Sequence, residues 1–107
     1  MSESERRLEM AAVYKLFLVR PTEAWYQLSE EEQTDLMDKV SELLERAGGK
    51  TVISCDSGWS SEQWPFFGVE EFPDIEAVQK HTEELNEVDW FRYGESMTLL
   101  GLKMEES

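Results

Sequence analysis

The stretch Met10-Ala11-Ala12-Val13-Tyr14-Lys15-Leu16-Phe17-Leu18-Val19 constrains this chain most, because it is apolar at nearly every position. It reads as a β-strand covered on both faces, with alternate side chains pointing to opposite sides. Val13, Phe17 and Val19 share one side with Lys15, and Ala12, Tyr14, Leu16 and Leu18 occupy the other. Arg20-Pro21 ends the run, since proline offers no N–H to a strand ladder. A sheet built around such a strand needs cover on each face.

The rest of the chain supplies helices for one face. Thr22 to Leu28 predicts a short helical turn carrying Trp25 and Tyr26. Ser29 with Glu32 three residues later forms a capping box, and Glu30, Glu31 and Glu32 complement the positive end of the helix dipole. Behind it, Leu36, Met37, Val40, Leu43, Leu44 and Ala47 recur at helical spacing, and Gly48-Gly49 suits a left-handed exit. A second strand is expected from Thr51 to Cys55, followed by a turn-rich loop from Asp56 to Gln63. A third strand is expected from Trp64 to Phe72, with Trp64, Phe66, Glu70 and Phe72 on one face and Phe67 and Val69 on the other. Asp74 then caps a helix with an inward stripe of Ile75, Val78, Thr82 and Leu85, continuing to Val88 or Asp89. That helix runs into Trp90-Phe91-Arg92-Tyr93, and a last strand spans roughly Ser96 to Met104.

The resulting order, βαββαβ, predicts a ferredoxin-like α+β domain over residues 9–105, preceded by a disordered tail over residues 1–8. Two helices cover one face of a four-stranded sheet. The other face, apolar and aromatic as well, would be a large exposed patch on a monomer. Pairing two such sheets face to face covers it and encloses a cavity, so a homodimer is expected.

Composition narrows the partners. With 24 Asp and Glu against 10 Lys and Arg, the chain carries a formal charge of −14. Such a surface repels phosphate backbones and anionic lipid, which argues against nucleic-acid or membrane binding. Cys55 is the only cysteine, so neither an intrachain disulfide nor a cysteine-cluster zinc site can form. A cytoplasmic protein is the expectation, because the acidic start does not resemble a signal peptide and the longest apolar run is too short to span a bilayer. Gly48-Gly49 follows a helix and precedes a strand, the reverse of a phosphate cradle, so no nucleotide cofactor is expected.

Two segments carry a family resemblance. Trp25-Tyr26-Gln27-Leu28-Ser29-Glu30-Glu31-Glu32 and Phe66-Phe67-Gly68-Val69-Glu70-Glu71-Phe72-Pro73-Asp74-Ile75-Glu76-Ala77-Val78 resemble the helix opening and the strand-to-helix junction of dimeric α+β barrel proteins. Within that superfamily they look most like an uncharacterised, darcynin-like branch. The superfamily includes antibiotic-biosynthesis and heme-degrading monooxygenases, stress-responsive barrels and polyketide cyclases. The resemblance implies a barrel that handles a small apolar or aromatic molecule, as a monooxygenase- or isomerase-like enzyme or as a non-catalytic binder.

The candidate polar groups are few. His81, the only histidine, lies beside the apolar stripe of the second long helix. It is either a general base or heme ligand, a role the resemblance to the heme-degrading branch implies, or a half-exposed helix-face residue. Without heme, no cofactor is expected. Lys15 either binds an anionic group or reaches the barrel rim to pair with an acid. Glu70, among aromatics, is the best candidate acid or base, with a rim ion pair as its alternative. Tyr14, Trp59, Trp64, Phe66, Trp90 and Tyr93 are the candidate ligand-lining residues, although Trp90 and Tyr93 equally suit the core or the dimer seam.

Overall fold

The computed structural model describes residues 11–104. The elements run β1 (Val13–Pro21), α1 (Glu23–Tyr26), α2 (Glu30–Arg46), β2 (Lys50–Asp56), β3 (Phe66–Phe72), α3 (Ile75–Glu87), α4 (Trp90–Tyr93) and β4 (Gly94–Leu102). The strands form one sheet in the order β2-β3-β1-β4, with every neighbouring pair antiparallel. This is the ferredoxin-like α+β arrangement, with β1 and β3 central. The tail expected over residues 1–8 lies outside the described residues, as does Met10.

Local chemistry sets the helix ends. Ser29 Oγ accepts from the Glu32 N–H at 3.1 Å while Glu32 accepts from the Ser29 N–H at 2.9 Å, completing the capping box. At the other end of α2, Gly48 adopts φ +79°, and its N–H and that of Gly49 return to the carbonyls of Glu45 and Leu44. That pair of bonds is a Schellman cap, which satisfies carbonyls the helix itself leaves open. Asp74 Oδ1 accepts from the Ala77 N–H at 2.8 Å and starts α3.

Several boundaries differ from the sequence reading, among them that of β1, which runs Val13–Pro21 and takes in the Arg20-Pro21 pair expected to end it. The third strand begins at Phe66 instead of Trp64, because the Pro65 carbonyl is taken by the Ser57 N–H and Ser57 Oγ holds the Trp64 carbonyl. Both groups serve the 57–65 loop and not the ladder. The helix expected to run on into Trp90 breaks at Asp89, which takes a left-handed φ of 61°. Asp is among the few residues that tolerate this conformation. Finally, β4 spans Gly94–Leu102, beginning earlier than the expected Ser96.

Strand register sorts side chains onto two faces. Val13 pairs with Phe72 and Leu102, Lys15 with Glu70 and Leu100, Phe17 with Gly68 and Thr98, and Val19 with Phe66 and Ser96. These face the helices. A packed core forms at the Val13 end, where Val13, Leu44, Ala47, Phe72 and Val78 are buried together. The opposite sheet face carries Leu16, Leu18, Val69, Met97 and Leu99, with Tyr14 paired to Gly101 and Glu71.

Candidate ligand cavity

Moving along β1 from Val13 toward Pro21, the space between sheet and helices stops being filled. It opens into a cavity of about 790 Å³, within the range of roughly 300–1,000 Å³ usual for small-molecule sites. Lys15, Phe17 and Val19 of β1, Phe66 and Glu70 of β3, and Thr98 of β4 form its sheet wall. Gly68 keeps this wall low, since a Cβ there would come within 2.6 Å of the Phe17 ring. Met37 and Val40 of α2 and His81 and Leu85 of α3 form the helical wall. The pocket therefore lies within one chain, between its sheet and its helices.

The two short helices make an aromatic rim. Trp25 and Tyr26 come from α1, and Trp90, Phe91 and Tyr93 from α4. Hydrogen bonds stitch these segments together: the Thr22 N–H donates to the Tyr93 carbonyl at 3.0 Å and Thr22 Oγ1 to the Arg92 carbonyl at 2.6 Å. Gln33 Nε2 donates to the Trp25 carbonyl at 3.1 Å, which ties the rim to α2.

Among the polar side chains that line this space, His81, Lys15 and Glu70 lie deepest. His81 is only 2% exposed, correcting the half-exposed alternative, and it lies against Phe72 with ring centroids 5.2 Å apart. Both of its ring nitrogens are buried with no hydrogen-bond partner. Burial, and then the nearby Lys15 charge, push its pKa down to about 4, so the imidazole is neutral at pH 7. Lys15 and Glu70 face each other across β1 and β3, but their closest approach is 4.0 Å. Burial pulls the Lys15 pKa down and pushes that of Glu70 up, each against the opposing pull of its partner. A pair this long does not repay its own desolvation. Glu84 Oε2, one turn beyond His81 on α3, is the other buried side-chain atom without a partner among the described residues.

Of the residues singled out from sequence, Lys15, Glu70, His81, Phe66, Trp90 and Tyr93 meet around this cavity. Three do not. Tyr14 lies on the opposite sheet face, where its hydroxyl donates to Glu71 at 2.6 Å. Trp59 is 86% exposed in the 57–65 loop, its indole N–H donating to the Asp56 carbonyl. Trp64, turned out ahead of β3, carries the Arg20 guanidinium over its ring at 5.3 Å. The lining residues missed include Phe17, Val19, Trp25, Tyr26, Met37 and Val40. Alternation along β1 from Lys15 carried the signal for the first two, and the α2 stripe for the last two.

A four-stranded antiparallel sheet with its helices on one face and a cavity beneath them defines a ferredoxin-like α+β protein. The chain belongs to the family of unknown function DUF6616, whose model matches residues 13–106. No curated protein matches it. Among solved structures, a chlorite dismutase from Candidatus Nitrospira defluvii in complex with imidazole superposes with a TM-score of 0.72 at 14% identity. The match covers 97% of this chain and 45% of that one, so this chain spans less than half the dismutase length. A protein of unknown function from Rhodopseudomonas palustris superposes with a TM-score of 0.64 at 15% identity, covering 99% of this chain and 95% of that one. At these identities the likeness speaks for fold alone. Neither the family match nor these structures tie the chain to the darcynin-like branch, which stays a resemblance of two motifs.

Proposed function

We propose that this protein binds a small apolar or aromatic molecule in the cavity between its sheet and its helices, with Lys15, Glu70 and His81 as the polar groups that meet it. The observation that carries the reading is the aromatic-rimmed cavity itself, with His81 on its wall and both imidazole nitrogens buried without a partner. A buried polar atom without a partner costs about 1–3 kcal/mol, and such groups cluster where a ligand completes the bonding. If the protein is an enzyme of the nucleotide-free monooxygenase or isomerase kind, these three are the buried groups on the cavity wall that could hold or move a proton. Native mass spectrometry of freshly purified protein tests the reading, together with quenching of the rim tryptophans by aromatic probes. The expected outcome is a stoichiometric small ligand or saturable quenching; an inert, empty protein against a broad aromatic panel would sink it.

A homodimer belongs to the same reading. Leu16, Leu18 and Val69 run across the middle of the outer sheet face, and Ile53, Met97 and Leu99 on it are 51%, 59% and 67% exposed. A second copy covering this face removes that apolar surface from water. Sedimentation at micromolar concentration is expected to give a dimer, and Leu99→Glu to give monomers that keep the circular-dichroism spectrum. A wild-type monomer would remove this part of the proposal.

Heme is a second reading, favoured by the same histidine. A neutral imidazole with a free nitrogen fits the donor an iron porphyrin takes, and the cavity walls fit its apolar faces. His81 would hold the iron, and the bound group would supply redox and oxygen chemistry. Hemin titration is expected to shift the Soret band in the wild type and not in His81→Ala; equal shifts in both, or none in the wild type, count against it.

A further inference from the structure

A lysine is costly in the place that Lys15 occupies. Along β1 its neighbours on the same face are Val13 and Phe17, and across the sheet it pairs with Leu100 and Glu70. The residue is only 9% exposed. Its Nζ makes no hydrogen bond among the described residues, and the Glu70 carboxylate stands off at 4.0 Å, beyond hydrogen-bond reach. A lysine held for stability alone would close that gap, or reach the rim and keep its ammonium in water. Sealing does not explain the missing bond. Among the described residues, the sealed side-chain atoms without a partner are the two His81 nitrogens and Glu84 Oε2, and Lys15 Nζ is not one of them. Its nitrogen therefore keeps surface of its own on a wall of the cavity.

The surroundings also loosen the proton on this nitrogen. Burial pulls the Lys15 pKa down and pushes that of Glu70 up, so amine with carboxylic acid gains on ammonium with carboxylate. From α3, His81 is neutral at pH 7 and adds no charge to hold the ammonium. From α2, Met37, Val40 and Ser41 reach the cavity, and they carry no charge either. A desolvated amine in an apolar pocket is a nucleophile, and the electrophile that suits it is a carbonyl carbon. Glu70, beside the same nitrogen, is placed to carry protons for such an addition.

Resting on the reading of the cavity as a small-molecule site, we infer that Lys15 is its nucleophile and that the ligand is an apolar or aromatic aldehyde or ketone, joined to Lys15 as an imine. The Lys15 ammonium passes a proton to Glu70, and the free amine adds to the carbonyl carbon. The C–N bond forms as the C=O π pair moves to oxygen, which takes that proton from Glu70. Glu70 then removes a second proton from nitrogen and gives it to the new hydroxyl, which leaves as water while the C=N bond forms. Ammonium and carbonyl become iminium and water. Nothing is oxidised or reduced, and Glu70 ends as the carboxylate beside the new cation.

The test exposes the full chain at pH 7 to 2-naphthaldehyde and cyanoborohydride, which reduces an iminium to a stable amine, and maps the adducts by peptide mass spectrometry. Lys15 is expected to label about tenfold or more faster than Lys39, Lys50, Lys80, Lys103 or the α-amine, because the cavity holds the carbonyl beside it. Glu70→Gln is expected to slow Lys15 labelling about tenfold or more, because the departing water loses its acid. Unchanged or faster labelling overturns the part given to Glu70. The wild-type map depends on no variant, and near-ultraviolet circular dichroism reports whether Glu70→Gln is folded; should it unfold, Glu70→Asp replaces it, with a partial slowing expected. Quenching of the rim tryptophans by the aldehyde and by 2-methylnaphthalene, the same ring without a carbonyl, separates binding from reaction. If either compound quenches while Lys15 labels no faster than the other amines, the cavity stays a ligand site and the imine inference is overturned. If neither quenches and Lys15 is unlabelled, the small-molecule reading falls with it.

Discussion

One face of one sheet behaves in two ways. At the Val13 end it is packed solid, with Val13 1% and Phe72 0% exposed under Leu44 and Val78. At the Val19 end the same strands, with the same alternation, border about 790 Å³ of open space. The difference comes from the helices. The C-terminal half of α2 and the start of α3 close on the sheet together, whereas farther along Met37, Val40, Ser41, His81 and Leu85 border a gap. There the covering elements become two four-residue helices, α1 and α4. Lys15, Glu70 and His81 sit at the border between the regimes, where polar side chains are shielded from bulk water but not enclosed by partners. Stability is concentrated at the closed end, and the capacity for binding at the open end.

Substitutions at the two ends should separate these roles. Phe72→Ala is expected to cost about 3–5 kcal/mol in urea unfolding, since it empties a fully buried site. Phe17→Ala, whose ring already borders the cavity, should cost less than half as much while weakening probe binding. Equal losses at both sites would mean that the cavity collapses and supports the fold as the core does.

The next effect in size is pH dependence. The His81 pKa lies near 4 in the folded chain and near 6.5 in the unfolded one, so the unfolded state takes up the proton first as pH falls. The contribution is present above pH 6.5 and lost on the way down to pH 4, a change of roughly 3 kcal/mol. Glu70 acts oppositely: its raised folded pKa means that its contribution is lost as pH rises above its unfolded value. Unfolding midpoints of the wild type and His81→Leu between pH 4 and 7 isolate the histidine by difference. Parallel curves would show that the ring is solvated and belongs to neither end.

A smaller effect is expected at the border pair. Lys15→Met strands the buried Glu70 carboxylate and should cost about 1–3 kcal/mol. Adding Glu70→Gln should recover most of that loss, because the long ion pair contributes little of its own. A double variant as unstable as the single would show the pair to be structural.

Much of the scaffold was legible in sequence. The Ser29–Glu32 box, the Gly48 exit and the Asp74 cap involve groups only a few residues apart, so their chemistry can be read locally. Strand alternation put Lys15, Phe17, Glu70 and Phe66 on one face for the same reason. The errors fell where local pattern yielded to packing. Trp59 and Trp64 looked like pocket aromatics, but a loop held by Ser57 turns both away. His81 looked half-exposed because its helical neighbours include Lys80, Glu83 and Glu84; its actual burial depends on the distance of α3 from Phe72, which no window of residues encodes.

The sequence by itself determined the βαββαβ order, the Ser29, Gly48 and Asp74 helix ends and the alternation of side chains along β1 and β3, because backbone hydrogen bonding and side-chain periodicity act over a few residues. The hollow under the helices, the unpartnered imidazole within it and the weak Lys15–Glu70 pair were decided only by tertiary structure. They arise from how far α2 and α3 stand from the sheet, and that distance is set by every packed side chain at the closed end together.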